Sequence, residues 1–192
     1  MTIFLILAPY GVFAILTLVA SAAVSLFAAA AICVAVIAFD VVRRRSVKIL
    51  GAGSVVAFAA VGTYVTLVDP GLSISGAKLA VDTGIFLVTL TSIAIRMPFT
   101  LQYAREAVDA ETARLPDFIR ANYAITWAWT GSMLLMIIGN VAMIYVPGLP
   151  LWSSLLIAFA ARYSAAYFTK WYPEYRKAKY GMLPPNALPG TH

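Results

Sequence analysis

The 192-residue chain is 62% hydrophobic and 11% charged, against about 25% charged residues in an ordinary soluble domain, and this leaves too little polar surface to coat a water-soluble globule. Its net charge of +6 comes from basic residues at the ends of apolar segments rather than along one solvated face, which argues against nucleic acid and for anionic lipid headgroups as their partners. One cysteine, Cys33, and one histidine, His192, exclude an intrachain disulfide and a Cys/His metal or haem site, and no cofactor is expected.

About 20 apolar residues are needed for each spanning helix. Residues 3–42 carry no charge before Asp40, too long a run for one span, and Ser21 to Ser25 offer its only polar break. Two short spans, 3–20 and 23–42, joined by a tight hairpin fit the length; a re-entrant hairpin held in one leaflet fits it as well. No basic n-region precedes the run, so a cleaved signal peptide is not expected. Cys33, within Ala-Ala-Ile-Cys-Val-Ala, reads as a small buried hydrophobe. A third span covers 49–68 and stops at Asp69-Pro70-Gly71, where Pro fixes φ and Gly permits positive φ. A fourth covers 76–97 and ends before Pro98. A fifth covers 118–146 up to Pro147-Gly148-Leu149-Pro150, and a sixth covers 151–171, with Trp152 at one end and Trp171, Tyr172 and Tyr175 at the other as interfacial aromatics. Residues 181–192 read as a flexible tail after a single domain of residues 1–180.

The expected fold is therefore an all-α polytopic membrane protein with six transmembrane helices. Apart from Lys78, every Lys and Arg falls in residues 43–48, 96–120 or 162–179, after spans two, four and six. The positive-inside rule then places all three patches, and both termini, in the cytoplasm.

Residues 98–117 form the one sizeable polar segment. Phe99, Tyr103 and Ala107 recur at helical spacing while Gln102, Arg105, Glu106 and Asp109 occupy other faces, the pattern of a short amphipathic helix lying on the membrane or on the bundle. Pro98 suits its first turn. Phe99, Gln102, Tyr103, Arg105 and Glu106 are its candidate contact residues for a partner. The carboxylates Glu106, Asp109 and Glu111 invite a catalytic reading, but local ion pairs on a solvated helix account for the same residues and no catalytic site is expected.

Ionisable groups inside spans are costly, so they are the candidate functional residues. Asp82 and Asn140 lie at matching depth, which predicts a hydrogen bond between spans four and five, with Lys78 as a nearby counter-charge. Arg162 lies deeper in span six, about 9 Å from the level of Asp82 at 1.5 Å per residue. It matches the depth of Thr89, Ser92, Thr126 and Thr130, which would line a polar interior; alternatively it reaches back to the headgroups near Asp40. Each of these contacts also serves as glue between helices, as do the small residues Ala22, Ala23, Ala28 to Ala31, Gly51, Gly53 and Gly62.

The apolar hairpin, the loop Arg43-Arg-Arg-Ser-Val-Lys48, a span ending in Val68-Asp69, a span closing at Pro98, and Trp129 eleven residues before Asn140 together resemble the intracellular septation protein A family, the inner membrane-spanning YciB proteins. Asp69, Pro98, Trp129 and Asn140 are the matching positions. The segment Phe99-Thr-Leu-Gln-Tyr-Ala-Arg-Glu106 is longer than that pattern, and Thr126 replaces an expected Asn. The resemblance implies a bacterial inner-membrane protein that supports cell-envelope synthesis and septation without enzymatic chemistry, with partners in the envelope or division machinery. Two other functions fit the residues: a small transporter, channel or lipid-handling protein using Asp82, Asn140 and Arg162, and an accessory subunit of a larger membrane complex.

Overall fold

The computed structural model describes residues 2–146, 148–149 and 151–180. The expected flexible tail with His192, the prolines at 147 and 150, and the side chain of Trp152 lie outside the described residues. Among the described residues there are seven α-helices and no strand: α1 Thr2–Leu16, α2 Ala22–Val42, α3 Ile49–Leu67, α4 Ile74–Ala94, α5 Phe99–Arg105, α6 Pro116–Tyr145 and α7 Leu151–Tyr180, with a 3-10 turn at Thr112–Arg114. Among the described residues, α2, α3, α4 and α6 are long and apolar enough to cross a membrane. The 15 residues of α1 rise only about 22 Å, short of the roughly 30 Å hydrocarbon core.

Polarity is distributed inside out. Leu18, Val42, Leu67 and Phe159 are 83%, 82%, 76% and 69% exposed, whereas Ser25, Ser54, Asp82, Thr89, Ser92, Thr126 and Asn140 are buried. A surface of this kind is stable only against lipid, where hydroxyls and amides gain by facing one another inside the bundle.

Most helix ends follow from local chemistry. Ser21 accepts from the Val24 amide at 3.3 Å and Ser73 from the Gly76 amide at 3.1 Å, capping α2 and α4. The Asp69-Pro70-Gly71 turn closes as expected, with the Asp69 carboxylate accepting from the Gly71 amide at 3.1 Å. The other ends of α2 and α4 share one device. Arg44 and Arg96 adopt φ of 56° and 60°; the bonds Arg44 N to Val41 O and Arg45 N to Asp40 O, matched by Arg96 N to Ile93 O and Met97 N to Ser92 O, make each a Schellman motif with Arg where Gly is usual.

Three elements differ from the sequence expectation. The first hairpin begins earlier, since α1 ends at Leu16 and a turn through Ala20 precedes the Ser21 cap. The polar insert is not one helix: α5 stops at Arg105 because the Asp109 carboxylate captures the Glu111 and Thr112 amides and the Thr112 hydroxyl at 3.0, 2.8 and 2.8 Å, which starts the 3-10 turn and takes Ala107 out of register with Phe99 and Tyr103. The last helix does not end near Trp171 but runs through Pro173 to Tyr180.

The main packing runs in the order α1, α2, α3, α4, α6, α7, with α5 laid on α6 and α4. The helices thus form an arc whose two ends, α1 and α7, share no extensive contact. Close approach is built with small residues: a Cβ on Gly53 of α3 would meet Val88 of α4 well inside 3.0 Å. Tyr10 and Phe13 of α1 tilt against Phe58 of α3 at ring separations of 5.7 and 5.6 Å, and the Tyr10 hydroxyl bonds the Ser54 hydroxyl at 2.7 Å.

Candidate functional site

Inside the arc lies a cavity of about 460 Å³, within the range of small-molecule sites. Its long wall is one face of α6, where Phe118, Asn122, Ile125, Trp129, Ser132 and Met136 follow at intervals of three and four residues. That stripe rises about 27 Å, close to the thickness of a hydrocarbon core. Tyr10 faces it from α1, Asp82 and Ile85 from α4, and Arg162 and Thr169 from α7. Both unjoined ends of the arc, α1 and α7, contribute to the lining.

The upper polar end joins two of the three intramembrane candidates. Asn140 donates from Nδ2 to Asp82 Oδ2 at 2.7 Å, and both residues are 8% exposed. This is the contact their matching depth predicts. Arg162 faces the same cavity, and because α4 begins at Ile74 its level differs from that of Asp82 by about 4 Å rather than 9 Å. No ion pair within 4.0 Å involves Arg162 or Lys78 among the described residues. Arg162 does not reach Asp40 as the alternative expectation had it; Asp40 pairs instead with Lys48 at 3.1 Å and Arg45 at 3.8 Å.

The threonines and serine expected to surround Arg162 do not. Thr89, Ser92 and Thr130 give their hydroxyls to carbonyls of their own helices, and Thr126 bonds Thr100 of α5 at 2.7 Å; all four are buried in helix packing. What sequence reasoning missed is Ser132, 95% buried on the cavity wall at a 5% exposure, whose Oγ is the one buried side-chain polar atom without a hydrogen-bond partner among the described residues. An orphan of this kind in a native protein calls for a ligand or water. The three-and-four spacing along α6 was present in the sequence as a signal; Tyr10, which comes from the far end of the chain, had none.

The basic end of the cavity is roofed by α5. Ser92 Oγ accepts from the Phe99 amide at 3.3 Å and fixes where α5 starts. Thr100 Oγ1 donates to Asn122 O at 2.9 Å, and Gln102 Oε1 accepts from the Ile49 amide at 2.8 Å, capping α3 from outside. Lys48, 4% exposed, sends its ammonium to Asp40 at 3.1 Å and Glu106 at 2.9 Å and lies 5.6 Å from the Tyr103 ring centre. Of the five residues expected to contact a partner, Phe99, Gln102, Tyr103 and Glu106 thus hold the roof to the bundle, while Arg105 is exposed. Lys48, expected among the headgroup-binding loop residues, is an internal counter-ion.

Charge at the roof follows from these contacts. Burial raises Glu106, but the hydrogen bond and charge of Lys48, with Ser46, outweigh it and hold the carboxylate below its ordinary range. Burial, with Tyr10 and the Asp40 and Glu106 carboxylates adding to it, pushes the Tyr103 phenol up and keeps it neutral. Hydrogen bonds from Thr112 lower Asp109. Glu106 and Asp109 thereby serve as a latch and a turn.

No protein-family model, curated protein or solved structure matches this chain. The septation-family resemblance rests on the residues that carry it in the sequence.

Proposed function

We propose that the protein is a non-enzymatic lipid-handling membrane protein, which admits an amphipathic molecule sideways from the bilayer into the cavity between α1 and α7. One observation carries this reading: a cavity of about 460 Å³ with mostly apolar walls and a few polar groups among them, lined in part by the two unjoined ends of the arc, α1 and α7. Ligand sites have this make-up, since apolar walls supply most of the burial and a few polar groups fix orientation. In the same reading the protein lies in a bacterial inner membrane with six spans, α1 and α7 added to the four helices that are long and apolar enough to cross, and with the α5 roof and basic loops in the cytoplasm. The supporting role in envelope synthesis that the resemblance implies is compatible with a lipid ligand, but no residue of the cavity argues for septation.

The test is native mass spectrometry of the full chain released from detergent, with Ala121→Trp as the variant that fills the cavity from α6. Lipid-mass adducts on the wild type that fall at least tenfold in the Trp variant are expected. A wild type without adducts, or a filled variant that keeps them, overturns the proposal.

A further inference from the structure

The ligand is defined more closely by what the cavity lacks. Arg162 brings a guanidinium to the cavity wall at mid-membrane depth without a carboxylate within 4.0 Å, and the nearest candidate, Asp82, is engaged by Asn140. Unpaired cations at that depth are costly, and a guanidinium favours a planar or tetrahedral oxyanion. Ser132 offers a second donor, buried and unpartnered on the same wall. By helix rise, counted from the far ends of α6 and α7, the two residues lie within about 4 Å in depth.

The rest of the lining is mostly apolar. Between Arg162 and Pro173, both on the lining, α7 rises about 16 Å toward the α5 roof.

Resting on the lipid-handling reading above, we infer that the cavity is a site for an anionic amphiphile, whose carboxylate or phosphate oxygens meet Arg162 and the Ser132 hydroxyl while an acyl chain runs toward Tyr103 and Ala107 beneath α5.

Three probes of equal chain length separate the terms: myristic acid, 1-myristoyl lysophosphatidic acid and uncharged monomyristoylglycerol, titrated against the full-length protein and followed by tryptophan fluorescence and native mass spectrometry. At least one anionic probe is expected to bind tenfold or more tightly than the glyceride; which one does so tells a fatty acid from a phosphate-headed lipid. Arg162→Gln should bring the anionic probes down to the affinity of the glyceride while leaving the glyceride unchanged. Ser132→Ala, which removes one oxygen without opening a void, should weaken anionic binding severalfold. Equal binding of all three probes by the wild type, or a charge preference retained in Arg162→Gln, overturns the headgroup assignment and leaves lipid handling standing. Binding of none of them, together with adduct-free wild type, overturns both.

Discussion

Single residues in this bundle work against lipid rather than water, and that changes which of them matter. The Asn140–Asp82 bond at 2.7 Å joins α6 to α4 at a level where no solvent replaces a lost partner. Removing the amide leaves the Asp82 carboxylate without its donor, so Asn140→Leu is expected to cost about 1–2 kcal/mol, read as a lower unfolding midpoint in detergent; an unchanged midpoint would show the bond to be ornamental. Arg96 presents an opposite case. Its φ of 60° costs an L-residue about 1–2 kcal/mol, whereas a cation at a helix C-terminus returns about 0.3–1 kcal/mol. Strain is the larger quantity, and Arg96→Gly should raise stability by roughly 0.5–1 kcal/mol in the same assay. Asp82 and Asn140 were legible in the sequence because polar residues inside apolar runs stand out. Ser132 was not, since one serine among many is singled out only by the absence of neighbours.

Among the elements, α5 is the one whose role changed most. Its seven residues are too few to persist alone, because helix nucleation is costly and isolated helices of this length are marginal; it is held by Thr100, Gln102 and the Lys48 ion pairs. Glu106 lies below its ordinary 4.5, so its contribution is complete above that pH and is lost as pH falls through the lowered value. Protection factors of the α5 amides, taken relative to the intrinsic exchange rate at each pH, should therefore fall as pH drops below 4.5, and Glu106→Gln should abolish the pH step while loosening α5 by about 0.5–1 kcal/mol, a figure kept small because Glu106 is only partly shielded from solvent. Exchange that is fast at every pH would mean that the latch does not hold. Amphipathic spacing foretold a helix here, but Asp109 was read as part of its polar face, and its capture of the Thr112 and Glu111 amides ended the helix early because a carboxylate three residues back competes with the helical bonds.

At the scale of the molecule, orientation is the property that charge placement predicts most directly. In a Cys33→Ser background, a cysteine at Ser46 should react with an impermeant maleimide only after the cells are opened, and one at Ser75 in intact cells; labelling of both from one side would refute the six-span arrangement. The sequence by itself determined that the chain is helical, that lipid is its solvent, and where the capped turns at Ser73 and Asp69 fall, because length, hydropathy and local hydrogen bonding depend on neighbours along the chain. Only the tertiary structure decided that the arc stays open between α1 and α7, that Lys48 is consumed by Asp40 and Glu106, and that Arg162 and Ser132 face a common cavity. Those outcomes depend on which faces of separate helices meet, and with little hydrophobic force acting between helices in lipid, that choice rests on close packing and a few hydrogen bonds between residues far apart in the chain.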